Sequence, residues 1–285
     1  MPAKYPAIAS LIPQRSWPDE SSQARMVMAQ PAFCCERVRI ELPGANGTLR
    51  LIDGLDLEID RGDFVSVLGG SGTGKTTLLR VLGGLTAYSA GIVRYEGEVV
   101  SGPPPGTGIV FQDYGHALLT WRTVRRNVSL GIEARMPEAE VARRVGKALQ
   151  MVDLEQSRDE YPWRLSGGMQ QRVQIARSLA MEPSALLMDE PFGALDAMSK
   201  AALQDQLLTV QRETAATILF VTHDIEEAIY LSDRIIVLNG RPARIRLDLK
   251  IDLPRPRNQV LTKELPEYLR LRHSLYEAFK DELHG

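Results

Sequence analysis

Residues 69–77 read GGSGTGKTT, and the run directly before them, residues 64–68, reads FVSVL. The nonapeptide fits the pattern G-x-x-x-x-G-K-[ST]. Its setting fits too, because a strand-like apolar run precedes it and a helix-like run, 77–82, follows. Glycines at Gly69, Gly70, Gly72 and Gly74 let a loop curl until its backbone N–H groups point inward at phosphate oxygens. The start of the next helix adds its own unpaired N–H groups and positive dipole end. Ser71 and Thr73 lie within the loop and Thr77 closes it. Lys75 then reaches the terminal phosphates as a point charge, and the Thr76 hydroxyl is a hard oxygen ligand for Mg2+. This stretch predicts an α/β fold that binds a nucleoside triphosphate. It does not name the reaction.

Further along, residues 185–190 read ALLMDE, an apolar strand that ends in two carboxylates. The reading sets this strand beside the phosphate-loop strand, with Asp189 toward Mg2+ and Glu190 toward an attacking water. Acidic strand ends are common, so the pair gains meaning only from its neighbours. Runs 217–221 and 235–238 are short and apolar, as buried parallel strands are. Runs 37–42, 55–59, 91–100 and 107–111 are also β-like. Between 123 and 154, residues Val141, Val145, Ala148, Leu149 and Val152 recur at helical spacing and predict a helical insert. Residues 1–30 read as a loosely ordered extension. Residues 241–256 read as basic and extended, and 263–283 as a terminal helix. The order of elements predicts a mainly parallel sheet flanked by helices, with an antiparallel β portion first.

Composition narrows the class. The chain has 285 residues, 44% hydrophobic and 25% charged, enough for a full core without covalent staples. The net charge of −2 implies no broad basic surface, so nucleic acid is not expected as a partner. Cys34 and Cys35 are adjacent, which is neither a metal spacing nor a disulfide framework. His116, His223, His273 and His284 form no metal-binding pattern. No apolar run approaches the roughly 20 residues a membrane span needs. Prolines interrupt the N-terminal apolar stretch, so no signal peptide is expected.

Residues 165–172 read LSGGMQQR, ahead of the helix-like run 173–180. Alone, Ser-Gly-Gly before a helix is a general cap and anion site. Set between the phosphate loop and the Asp189-Glu190 strand, it resembles the signature motif of ABC ATPases. Other features follow in that family's order. Gln112 after run 109–111 resembles the Q-loop glutamine. PFGALD at 191–196 resembles the approach to the D-loop, with Asp196 as its acid. His223 after run 218–221 resembles the switch histidine.

The resemblance covers about 38–240. It implies a P-loop NTPase fold of ABC-ATPase type: a mainly parallel core sheet, an antiparallel β subdomain and a helical insert at about 113–177. The ATPase domain would span 31–240, with a C-terminal extension at 241–285. The resemblance also implies ATP hydrolysis with Mg2+, the metal near Thr76, Gln112 and Asp189. Glu190, His223 and Gln112 would serve hydrolysis. ATP would lie between Gly69–Thr77 of one subunit and Ser166, Gly167 and Gly168 of a second copy, in a head-to-tail dimer with Asp196 nearby.

VFQDY at 110–114, LTWRTV at 119–124, Asn127-Val128 and IDLPRPR at 251–257 are similar to nitrate, sulfonate and taurine importers. That similarity implies a peripheral subunit on the cytoplasmic face of the inner membrane. Its partners would be transmembrane permease subunits and, indirectly, an external solute-binding protein. Tyr114, Leu118, Leu119 and Trp121 would either line a groove for the permease or pack the insert onto the core. The rival reading is a soluble ATPase acting on ribosomes or DNA. Such proteins carry two cassettes or a long coiled-coil insertion, whereas this chain has one cassette and a short insert. One departure stands out. The family's adenine-stacking aromatic aligns with Leu42, and no Tyr, Phe or Trp lies between Phe33 and Phe64. The base is expected on Leu42 or held by a group such as Arg39.

Overall fold

A computed structural model of the chain describes residues 30–44, 47–112 and 117–279. The extension expected before residue 30, Tyr114, His116 and the far end of the terminal helix lie outside the described residues. One sheet contains β1 (Phe33–Gly44), β2 (Gly47–Ile59), β4 (Ala90–Tyr95) and β5 (Glu98–Val99). It is antiparallel, in the order β2-β1-β4-β5. The other contains β3 (Phe64–Leu68), β6 (Thr107–Val110), β7 (Ala185–Asp189), β8 (Thr217–Val221), β9 (Arg234–Asn239) and β10 (Arg244–Lys250). Its order is β10-β9-β3-β8-β7-β6, parallel except at β10.

Every residue of β3, β7 and β8 is buried, which is why these strands read as unbroken apolar runs. Successive residues still serve opposite faces. Val65, Val67, Leu187, Leu219 and Val221 join a core shared with the antiparallel sheet and α1 (Lys75–Leu82). Phe64, Leu68, Leu186, Met188, Ile218 and Phe220 join a second core. That core is completed by the helical insert: α2 (Val124–Ser129), α3 (Glu138–Met151) and α4 (Gly167–Ala180). No helix among the described residues is long and apolar enough to cross a membrane.

Two expectations change. The acidic strand β7 is not the neighbour of the phosphate-loop strand, because β8 lies between β3 and β7. Both are short apolar runs, and nothing in their composition ranks them by position. The stretch expected to begin a C-terminal extension contributes β10, paired antiparallel to β9 across the Asn239-Gly240 turn. Its exposed and half-buried residues alternate strictly, as on an edge strand, and its charges mask that period. After β10, helix α7 (Pro266–Phe279) packs on α6 (Ile225–Leu231). The Tyr268 hydroxyl donates to the Glu226 carbonyl at 3.3 Å, and Arg272 pairs with the Glu226 carboxylate at 3.3 Å.

The insert is pinned by one buried amide. Asn127 Nδ2 donates to the carbonyls of Leu119 at 3.0 Å, Arg122 at 2.9 Å and Thr123 at 3.2 Å. Its Oδ1 accepts from the Leu119 N–H at 2.9 Å and from Arg177 at 2.8 Å. Arg177, on α4, also donates to the carbonyls of Ala117 at 2.8 Å and Asn127 at 3.0 Å. Asn127→Ala strands several of these groups without partners. It is expected to lower unfolding stability by about 3 kcal/mol in a urea titration with an unchanged slope. A loss below about 1 kcal/mol would mean that water replaces the amide and that the insert does not depend on it.

Candidate functional site

The chain leaves β3 at Leu68 into a loop with no room for side chains at its root. A Cβ on Gly69 would stand 2.6 Å from the Leu238 carbonyl oxygen. Gly74 precedes α1 with φ of 89°, in the left-handed region. The turn brings Lys75 back over the loop, where Nζ donates to the carbonyls of Gly69 at 2.7 Å and Gly70 at 2.9 Å. The Thr73 hydroxyl donates to the Gly70 carbonyl at 2.9 Å. Arg241, just past β9, donates to the Ser71 carbonyl at 3.4 Å and lies against Gly72. Arg241 had no role in the sequence reading. Its position after the turn that ends a core strand was the available signal.

Thr76 meets the end of β7. Its hydroxyl donates to Asp189 Oδ1 at 3.1 Å, across 113 residues of sequence. Asp189 is buried, and burial pushes its carboxyl above the usual carboxylate range. The nearby charge of Glu190 pushes the same way and the Thr76 hydrogen bond opposes both. A hydroxyl and a carboxylate at a helix N-terminus beside a glycine-rich loop are a hard-oxygen set that suits Mg2+ and phosphate.

Glu190 sits one residue past β7, and its φ is 46°. Non-glycine residues in this region carry roughly 1–3 kcal/mol of strain. Here the backbone is held by the Glu190 N–H donating to the Val221 carbonyl at 2.9 Å. The carboxylate meets two other side chains: Gln112 Nε2 donates to Oε2 at 3.3 Å, and His223 Nδ1 lies 3.1 Å from the same oxygen. Gln112 lies just beyond β6 and His223 just beyond β8. These strands flank β7, so their C-terminal ends deliver all three residues to one edge of the sheet.

The turn that carries His223 is braced from behind. The Thr222 hydroxyl donates to Glu227 at 2.7 Å, and Asp224 accepts from the N–H groups of Glu226 and Glu227 to cap α6. Lys200 pairs with Glu227 at 2.8 Å and Asp224 at 3.4 Å. Burial pushes the Glu227 carboxyl up, and Lys200 and Thr222 oppose that shift.

Ser166 caps α4, its hydroxyl accepting from the Met169 N–H at 3.3 Å. Gly168 lies against the next loop, where a Cβ would stand 3.0 Å from Leu195 Cδ2. Gln171, buried and given no role by the motif reading, joins this motif to the carboxylate strand. Its side chain accepts from the Ala194 N–H at 3.1 Å and donates to the Glu190 carbonyl at 3.4 Å. Asp196 caps α5 (Ala197–Thr214) by accepting from the Ser199 N–H at 3.0 Å, a bond that holds its carboxyl below the usual range. Leu42 is half-buried opposite Leu49. Arg39, the other candidate for the base, is bonded to Asp53 at 2.8 Å.

The profile of the ABC transporter family matches residues 52–193. An uncharacterised ABC transporter ATP-binding protein of Methanocaldococcus jannaschii is 45% identical over 82% of this chain and 86% of its own length. The chain belongs to the ABC transporter family. It is an ATP-binding and ATP-hydrolysing cassette of that family. The nitrate import ATP-binding protein NrtC of Synechococcus elongatus is 43% identical over 85% of this chain, which spans only 37% of NrtC. The bicarbonate transport ATP-binding protein CmpD of Synechocystis is 40% identical, over 88% of this chain and 93% of CmpD. Among solved structures, the dimeric post-hydrolysis cassette MJ0796 bound to ADP and Pi matches with a TM-score of 0.69. It is 29% identical over 77% of this chain and 99% of that one.

The folded-state pKa of Asp189 lies above its unfolded value, so the folded chain holds this proton more tightly. Stability from this group is full below the unfolded carboxylate pKa and is lost as pH rises through the folded one. Asp189→Asn removes that loss. In metal-free buffer the variant is expected to melt above the parent at pH 7, with the gap closing toward pH 4. Thermal melts across that range check it, and parallel pH profiles would mean that burial of Asp189 has no energetic consequence.

Proposed function

We propose that the chain energises the import of a small anion by hydrolysing ATP as half of a head-to-tail dimer. The observation that carries this reading is the meeting of Gln112, Glu190 and His223 at one carboxylate oxygen, beside the Thr76–Asp189 pair. Glu190 accepts a proton from the attacking water, and His223, 71% exposed, faces the γ-phosphate. Thr76 and Asp189 would hold Mg2+, with Gln112 beside it. When bound, Mg2+ offsets the charge of the β and γ oxygens. Residues 69–77 enclose the phosphates.

Ser166 is exposed at the head of α4, so a partner's γ-phosphate can reach its hydroxyl and the helix N-terminus. Gly167 and Gly168 let the backbones approach. Asp196, on the adjoining loop, borders the same interface. Closure expels water from both composite sites and strengthens their electrostatics. We read 31–240 as the cassette, to whose core sheet the stretch after 240 adds β10, and α7 as the part of the C-terminal extension that braces α6.

The names of NrtC and CmpD support a small anion as cargo. The permease reading rests on Trp121, which is 74% exposed, whereas Leu118 is buried in the core. Trp121 with Leu119 is offered to the permease, on the cytoplasmic face of the membrane, and Leu118 packs the insert. An external solute-binding protein would deliver the anion.

Glu190→Gln keeps the shape and removes the base. It is expected to retain ATP binding, to lower turnover roughly 100-fold or more, and to accumulate an ATP-bound dimer. Phosphate release and size-exclusion chromatography with ATP check this. Turnover within a few-fold of the parent would take Glu190 out of the role.

A further inference from the structure

We propose that Trp163 of one subunit forms the stacking platform for the nucleotide base held by its partner's phosphate loop. The inference rests on the head-to-tail reading and supplies what the base otherwise lacks. The β1–β2 hairpin flanks the loop, with Leu51 and Ile52 3.5 Å from where a Cβ on Gly74 would stand. That hairpin carries Leu42, its one ring among the described residues, Phe33, is buried against Tyr95 at the far end of β1, and Arg39 is engaged by Asp53. A base lying over it finds an aliphatic surface on its own subunit.

Among the described residues, the largely exposed rings are Trp121, Tyr161, Trp163 and Tyr276. Trp121 lies in the segment assigned to the permease. Tyr276 lines an open cleft with His223, Asp224 and residues 69–71, at the γ-phosphate end. Tyr161 and Trp163 stand immediately before Ser166. Trp163 is 64% exposed. Its ring stacks on Tyr161 with centroids 6.0 Å apart and planes 17° from parallel, and the Arg164 guanidinium lies 4.9 Å over it. An exposed cation–π contact is weaker than a base–aromatic stack. A base can therefore displace the exposed Arg164 guanidinium, which keeps Glu160 as a partner at 3.1 Å, and extend the column.

The backbone under the ring is fixed. Residues Pro162–Arg164 form one tight turn, and Gln170 Nε2 donates to the carbonyls of Pro162 at 3.0 Å and Leu165 at 3.3 Å. Trp163 and Ser166 are three positions apart, a reach of up to about 10 Å. That suits one strand of chain touching a γ-phosphate at Ser166 and the base of the same nucleotide at Trp163. Recognition of the base across the interface adds to dimer closure and not to binding by the lone subunit. Because every base has a π-face, it also discriminates little between ATP and GTP.

The test uses Glu190→Gln protein, which keeps ATP intact, and sedimentation velocity to find the ATP concentration at half-maximal dimer. Adding Trp163→Ala is expected to raise that concentration roughly fivefold or more. Affinity of the dilute monomer for ATP should not change, and Trp163→Tyr should recover most of the loss. Inorganic tripolyphosphate, which has no base, should drive dimerisation poorly in the parent. A Trp163→Ala midpoint within twofold of the parent, or dimerisation by tripolyphosphate as readily as by ATP, would overturn the proposal while leaving the dimer intact. If the parent with Trp163 present forms no ATP-dependent dimer, the head-to-tail reading fails first and this inference falls with it. Circular dichroism melts separate either result from misfolding.

Discussion

Parallel pairing among β3, β8, β7 and β6 sets the terms for everything else in this molecule. Parallel neighbours cannot be joined by tight hairpins, so each connection must cross a face of the sheet and cover it. Both faces become dry, and the strands accept almost nothing but apolar side chains. Parallel alignment also places the C-terminal ends of the strands on one edge. Polar groups are few in the strand bodies and gather at the last residues of the strands and the first residues beyond them. The phosphate loop follows Leu68, Gln112 follows β6, Glu190 follows Asp189, and His223 follows Val221 within two residues. One packing constraint thereby assembles four distant pieces of sequence.

That assembly opposes stability in places. Asp189 is buried, Glu190 is held with φ of 46°, and two carboxylates adjoin at one strand end. The surrounding contacts offset this. The Val221 carbonyl fixes the Glu190 backbone, and Gln171 fixes its carbonyl oxygen. Behind His223, the Thr222–Glu227–Lys200–Asp224 network makes the turn stiff without occupying the imidazole. Strain concentrated where charge must be handled, and hydrogen bonds that over-determine it, is the pattern expected of a functional edge.

Much of this was legible in the sequence because local pattern and chemistry coincide. Unbroken apolar runs gave β3, β7 and β8 in place, and the glycine-rich loop with Lys75 and Thr76 declared its ligand class. What stayed hidden depends on order in space. No property of residues 185–189 or 217–221 says which lies nearer β3. The alternation of Ile245, Leu247 and Leu249 in β10 was obscured by the charges between them, Arg246 and Asp248. Gln171 stood inside a recognised motif, yet its partners at 190 and 194 come from another element. Leu118 and Trp121 are three residues apart and both apolar, but one is buried and the other exposed, a division set by Asn127 and Arg177 folding the segment between them. Asp196 was read as an interface acid, and its carboxylate also starts α5.

Helix α4 draws these features into one mechanical element. Ser166 stands at its head, Gln171 holds the Glu190 carbonyl from its second turn, and Arg177 in its last turn grips Ala117 and Asn127. Gln171 and Arg177 are six residues apart and so project from well-separated faces, one toward the Glu190 edge and one toward the insert. The helix is 14 residues long, about 21 Å, and its buried side chains lock it against β6 and α3. A rod of that stiffness cannot move at Ser166 without moving at Arg177. Arg177 reaches its partners through carbonyl oxygens and one amide, which permit small rotations without breaking contact. Closure of a partner's nucleotide on Ser166 would therefore be felt at residues 117–123, the segment assigned to the permease. The same displacement would be felt at the Glu190 backbone, so the Glu190 carboxylate and the segment proposed to face the permease would respond to a single event.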